Sequence, residues 1–409
     1  MRSFANLFLL LFLVDGGVSL LDEAVSLLVP LAPLSGVRNL LANIVILMAV
    51  PLYLSLGIDR RLPKRLFLPL TIFAFFCLLS GWLFPPLAGA RAYGLLTAAA
   101  QLALALFLLR QYRQPDGRPP ALPAAIFAAP FFSLRNTLLF GTANLFVVPL
   151  ALAMFALSAA NAYMAEYTAG FMHLKPGGLY MTERVYRRDN RTIRLAGMIH
   201  VGEKHYYDDL ARSVAPGRTI VLAEGVSDDG KLLRNRFGYG RVAGFLGLTS
   251  QDKMLFPGRL LEEEEFAALR PHATGSVEKE PAREPDILRA DLDVSAFRPP
   301  TILVLDAIGK QLQESPSFVK GFLALNAWAE KNITPEMNEA IMDDILHRRN
   351  REVIRHLGKA LESYDTVVVP WGALHMKEIE EEVLTRGFTL REERERVSID
   401  FRKLLIALL

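Results

Sequence analysis

Four long stretches of this chain carry no charged residue at all: Asn39–Leu56, Leu66–Ala90, Ala92–Leu109 and Asn136–Met164. A helix rises about 1.5 Å per residue and the hydrocarbon core of a bilayer is about 30 Å thick, so about 20 apolar residues make one crossing. A buried core helix would explain one such stretch. Four in a row, joined by short basic loops, read instead as a membrane region. Hydrophobic residues form 52% of the 409-residue chain, yet most of the charge follows Ala169. The lipid bilayer is therefore the expected partner of the first part of the chain. The net charge of +3 is too small to argue for nucleic acid, and none is expected as a partner. The single Cys77 lies in an apolar run, which excludes an intrachain disulfide and a cysteine cluster for metal.

The expected division is a transmembrane region at residues 1–165, with four or five spans, and a water-soluble domain at 166–409. Ser3–Val14 and Ala24–Val37 are apolar but are separated by Asp15, Asp22 and Glu23. They read as a first span, a re-entrant hairpin or, least well, a cleaved leader. The three acids fit the membrane interface; at membrane depth they would be functional candidates. Arg60, Arg61, Lys64 and Arg65 fill one loop, and Arg110, Arg113 and Arg118 the next on the same side, whereas the opposing loops offer Arg38 and Arg91. The basic side is expected in the cytoplasm of a plasma or inner membrane, which places the soluble domain on the non-cytoplasmic side. Ala121–Ser133 would reverse this if it crossed, but it is short and contains Pro123 and Pro130. A half-inserted or interfacial helix is expected there.

Beyond Gly170 the pattern becomes that of a folded α/β domain. Leu179–Val185 and Thr192–Ile199 flank Arg187-Arg188-Asp189-Asn190 as a hairpin. Thr219–Ala223, Thr301–Leu305 and Asp365–Pro370 read as buried strands. Glu203–Val214, Leu260–Leu269, Ser317–Glu330, Pro335–Leu361 and Met376–Arg386 read as helices, with Thr334-Pro335 as cap and first turn. Residues 271–285 are rich in Pro, Gly, Ser and Glu and read as a flexible loop. Leu404–Leu409 is expected to pack on the domain or touch the membrane surface. Strands alternating with helices predict a mixed, partly parallel central sheet.

Two segments share one design. IRLAGMIH (Ile193–His200) and VVVPWGALH (Val367–His375) are apolar strands that end in Gly-x-x-His before a helix. Ligands of open α/β sheets bind beyond the carboxyl ends of strands. TIVLAEG adds Glu224 after a third strand. Each residue alone is more often structural, but together they are candidates for chemistry. His200, Glu224 and His375 can ligate a divalent metal with an open position, or Glu224 can orient a histidine that activates water without one. His205 can share that face. Tyr206 and Tyr207 are expected to pack; Asp291 and Asp293 could approach the pocket, with turn capping as their default; and Arg234–Arg241 (RNRFGYGR) is expected to border the site or to be a solvated loop.

GMIHVGEKHYYDDL, VLAEGV and VVVPWGALHMKEIEEEVLTRGF together resemble the TraB/GumN/PrgY–Tiki superfamily, over roughly Tyr180–Asp400. The resemblance implies His200 and His375 as the motif histidines and Glu224 as the acid. It also implies an Arg beside Asp or Asn in a late helix, matched by Arg349-Asn350; an exposed arginine on a basic helix face is the alternative for Arg349. Members include metal-dependent membrane-anchored proteases, proteins that restrain peptide pheromones, and haem-uptake proteins. More distant relatives, the erythromycin esterases, use histidine and glutamate without metal. The expected function is a membrane-anchored, peptidase-like hydrolase that uses a manganese, cobalt or zinc type ion and acts on a peptide or membrane protein. The alternative is a non-catalytic module that sequesters a peptide signal or haem. A third reading, a transport path through the spans, rests on the three N-terminal acids alone.

Overall fold

The computed structural model describes residues 1–28, 34–85, 92–110, 121–235, 238–269, 284–315 and 318–408. They fall into two compact units, Met1–Ser158 and Ala159–Leu409.

The first unit is helical: α1 (Arg2–Leu28), α2 (Ser35–Ile58), α3 (Lys64–Leu83), α4 (Tyr93–Arg110) and most of α5 (Leu134–Tyr167). All five are long and apolar enough to cross a membrane. Phe8, Phe12, Leu52, Leu56, Phe67 and Leu70 are fully or almost fully buried where α1, α2 and α3 meet. By contrast, α5 buries none of its residues, and Leu145, Phe146, Leu150 and Leu152 stand exposed along it. The N-terminal run is one unbroken helix rather than two segments. Its acids do not interrupt it, and each has a side-chain partner on at least one oxygen. Gln101 donates to Asp15 at 2.9 Å, and Arg38 pairs with Asp22 and Glu23. Ala121–Ser133 contains only a short 3₁₀ turn, Ala124–Ala128, between its prolines. Arg91, Arg113 and Arg118, on which the orientation argument partly rests, lie outside the described residues, as does most of the 271–285 segment.

The second unit is an α/β domain around an eight-stranded mixed sheet. β2 (Gly178–Arg188) and β3 (Arg191–Met198) form the expected hairpin, with Asp189 at φ 50° in the turn. β3 then pairs in parallel with β9 (Thr366–Gly372), β9 with β5 (Thr219–Ala223), β5 with β8 (Asp286–Arg289), and β8 with the short β7 (Arg259–Leu260). On the other side, β1 (Met172–Lys175) and β10 (Thr389–Asp400) both pair antiparallel with β2. A separate ribbon joins β4 (Val201–Gly202) to β6 (Thr249–Ser250). The period of two along the strands sorts their side chains. Ile220, Leu222, Val367 and Val369 pack with Val353, Leu357, Ile379 and Val383 from helices, while Val221 and Val368 pack with Val214.

Helices connect these strands: α6 (Lys204–Arg212), α7 (Tyr239–Phe245), α8 (Glu263–Ala267), α9 (Pro299–Glu314), α10 (Phe318–Asn332), α11 (Pro335–Met342), α12 (Arg349–Ser363), α13 (Met376–Thr385) and α14 (Phe401–Leu408). Thr334 caps α11 by accepting from Met337 N–H at 3.3 Å. Three expectations are corrected and one strand, β10, was not foreseen. Thr301–Leu305 is not a strand but part of α9. Pro299 and Pro300 preset its first turn, Thr301 donates to Asp344 at 2.7 Å, and the buried residues Thr301 and Val304 are three apart. That helical burial outweighs the β propensity of Thr-Ile-Leu-Val. The helix expected at Leu260–Leu269 shrinks to α8, because Leu260 joins the sheet. The helix expected at Pro335–Leu361 contains a π segment, Asp343–Arg348. Finally, β10 was hidden by its charge: Arg187–Glu392, Arg184–Glu393 and Arg396–Glu183 are cross-strand ion pairs on an edge strand.

Candidate active site

Because β3, β9, β5 and β8 run parallel, their carboxyl ends open at one side of the sheet. Four polar residues follow directly: His200 after β3, His375 after β9, Glu224 after β5 and Asp291 after β8. The two Gly-x-x-His segments use their glycines differently. A methyl group on Gly197 would stand 3.0 Å from Phe171 Cβ, so this glycine admits a neighbouring chain segment. Gly372 instead brings its N–H to Glu224, donating to Oε2 at 2.8 Å. Tyr206 and Tyr207 pack as expected, and their hydroxyls brace the first segment by donating to the carbonyls of Gly197 and Ile199 at 3.0 and 2.7 Å.

Arg349 is the hub. It is 8% exposed, not on an outer basic face. Its Nε and Nη2 donate to the two oxygens of Asp291 at 2.9 and 2.7 Å. Nη2 also donates to Glu224 Oε1 at 2.8 Å, and Nη1 reaches His375 Nε2 at 3.2 Å and Ile345 O at 3.4 Å. Its five N–H donors are thus spent within the protein. The π segment ends at the residue before Arg349, and such turns recur at functional sites.

The histidines differ in surroundings. His375 is 5% exposed, edge-on to Trp371, with Nδ1 2.6 Å from Asn350 Oδ1. His200 is half-buried; its ring stacks on Tyr239 at 4.3 Å, and Nδ1 lies 2.7 Å from Gln251 Oε1. Gln251 also donates to Glu224 Oε2 at 3.5 Å, which completes a chain from His200 to His375. Burial opposes ionisation of Glu224, but Arg349, His375, His200 and the Gly372 N–H outweigh it and hold its pKa below the usual carboxylate value. Burial, helped by Arg349, pushes His375 down to about 4, so the ring is neutral near pH 7. Burial, with the Glu224 charge, pushes the Tyr239 phenol up to about 12.

His200, Glu224, His375 and Arg349 are therefore brought together, and Asp291 joins them although a turn role was its default. Asp293 keeps that turn role, accepting from Ser227, Asp229 and Ser295. His205 stays apart, half-exposed beside Glu203 at 3.0 Å. In the 234–241 segment, residues 236 and 237 and the side chain of Arg241 are not described; among the described side chains Tyr239 reaches the site. Gln251 was missed, since a single glutamine after a two-residue strand gives no signal in sequence. As a metal shell the set fits poorly. His375 Nε2 and Glu224 Oε1 are 3.6 Å apart, a separation two ligands of one ion can have. The cation between them is the Arg349 guanidinium, however, and among the described residues no group of three His, Cys, Asp or Glu is arranged to hold a metal. Comparison with protein-family models, with curated proteins and with solved structures gives no match for this chain.

Proposed function

We propose that this chain is a membrane-anchored, peptidase-like hydrolase in which His200 is the general base. One observation carries the reading: among the four grouped strand-end residues, His200 alone presents a nitrogen, Nε2, with no hydrogen-bond partner among the described residues, on a half-buried ring. Glu224, Arg349, Asp291 and His375 form the rigid charged bed beneath it. In this scheme Nε2 takes a proton from water as the water oxygen attacks a carbonyl carbon, then returns it to the leaving amine. Glu224 and Asp291 against Arg349 leave one net negative charge next to the imidazolium that forms. Arg349 positions the bed rather than meeting the oxyanion, because its donors are spent. The likeness of the motif residues to the TraB/GumN/PrgY–Tiki superfamily points the same way, and its metal-free relatives fit the donor set better than its metal-dependent ones.

The exposed apolar length of α5 supports a lipid surround. With Arg60, Arg61, Lys64 and Arg65 facing the cytoplasm, the catalytic unit lies on the non-cytoplasmic side. A reporter fused after Met164 tests that orientation. For the chemistry, the full-length protein in nanodiscs is assayed on a peptide library before and after chelation. Cleavage that survives chelation and is lost in His200→Ala is the expected result; cleavage unchanged by that substitution refutes the reading. The internal saturation of Arg349 favours a second reading, a peptide-sequestering module, which would show tight binding without cleavage.

A further inference from the structure

We propose that Gln251 is a positioning residue that holds His200 as its Nδ1–H tautomer, with the Glu224 carboxylate fixing which way the amide of Gln251 faces. The inference rests on the hydrolase reading and assigns how its base is prepared.

A carboxylate accepts hydrogen bonds and donates none. The atom of Gln251 that meets Glu224 Oε2 must therefore be the NH₂ nitrogen, at 3.5 Å. The carbonyl oxygen is then turned toward His200, 2.7 Å from Nδ1. A carbonyl oxygen only accepts, so Nδ1 carries the proton. The lone pair of a neutral His200 is left on Nε2. The β4–β6 ribbon supports this arrangement: Val201 pairs with Ser250, and Gln251 N–H donates to the His200 carbonyl at 2.9 Å. The backbone thus fixes the amide beside the ring, while the stacked Tyr239 fixes the ring plane.

The same device occurs at the second histidine. Asn350 donates from Nδ2 to Glu378 at 2.7 Å, so its oxygen receives Nδ1–H of His375 at 2.6 Å. Both histidines are thereby held in one tautomer by a carboxamide that a carboxylate orients. Their difference lies at Nε2. On His375 that lone pair receives an N–H of Arg349 at 3.2 Å, whereas on His200 it has no partner among the described residues. The pair is chemically alike in tautomer and unlike in availability, which separates a base from a support.

The test is long-range ¹H–¹⁵N correlation of the full-length, ¹⁵N-histidine-labelled protein in nanodiscs at about pH 8.5, above the imidazole range. His200 is assigned by its absence in His200→Ala. The expected result is a protonated Nδ1 and an unprotonated Nε2 in the wild type. Gln251→Met removes the acceptor and should release His200 to the Nε2–H form, while Gln251→Glu keeps an acceptor and should retain Nδ1–H. An Nε2–H wild type overturns the proposal without any variant being needed, and so does a Gln251→Met spectrum unchanged from wild type. Loss of tautomer control with His200-dependent cleavage intact would sink this inference alone. Tautomer control with no His200-dependent cleavage would sink the hydrolase reading and leave the positioning result standing.

Discussion

The guanidinium of Arg349 grips Asp291 through two parallel hydrogen bonds, Nε to Oδ1 at 2.9 Å and Nη2 to Oδ2 at 2.7 Å. This fork ties the start of α12 to the end of β8, and the second bond of Nη2 ties both to β5 through Glu224. Arg349→Met would leave two buried carboxylates without their countercharge. Breaking such a pair costs about 3–5 kcal/mol, so the urea midpoint of the full-length protein should fall steeply. Arg349→Lys should recover only part of that, because a point charge cannot make the two-pronged contact. Equal stability of both variants and wild type would contradict this role.

His375 and Glu224 should make the folded state sensitive to acid. The folded pKa of His375, about 4, lies below its ordinary 6.5. Between those values the unfolded chain binds the proton first, so stability rises with pH there and is complete only above about 6.5. Glu224 is also depressed, so its contribution is present above the ordinary carboxylate pKa and is lost as pH falls through the lower folded value. Both act in one direction. Unfolding free energy should drop by on the order of 3 kcal/mol from His375 as pH falls from 7 to 4, and by clearly less in His375→Gln. Parallel pH profiles for the two proteins would rule this out.

The two Gly-x-x-His glycines should respond unequally to the same small change. In Gly197→Ala the methyl group would lie 3.0 Å from Phe171 Cβ and 3.1 Å from its carbonyl oxygen, closer than real contacts comfortably allow. Overpacking of that kind costs about 1–3 kcal/mol. In Gly372→Ala the nearest atom is His375 Cδ2 at 3.4 Å, an ordinary contact, so the melting temperature should barely move. Equal losses at the two sites would show that the glycines serve one purpose after all.

The two histidines should likewise separate in kinetics. His200→Ala should reduce kcat/KM by about 10²- to 10⁴-fold, the usual worth of a general base, with the urea midpoint close to wild type. His375→Ala leaves Asn350 and Arg349 facing an empty, buried position and should cost stability of about 1–3 kcal/mol. Swapped outcomes, with His200 structural and His375 kinetic, would reverse the assignment of the base.

Much of this protein is legible from its residues in order. The long apolar helices are declared by uncharged runs, and β3, β5 and β9 by apolar runs that end in Gly or Glu; in both, the pattern that marks the element is local. The two Gly-x-x-His segments and Glu224 could be read as strand-end residues for the same reason. What the order of residues leaves open is decided by neighbours far along the chain. Thr301–Leu305 became helical because Asp344 and buried contacts at a spacing of three reward that shape. β10 formed because its charges meet opposite charges on β2, more than 200 residues away. At the site, sequence supplied two histidines and a glutamate as candidates, and the family resemblance added an arginine. Only the tertiary structure could spend all the donors of Arg349 internally, bring in Asp291, and set Gln251 between Glu224 and His200, because hydrogen bonds are fixed by position and direction rather than by residue type.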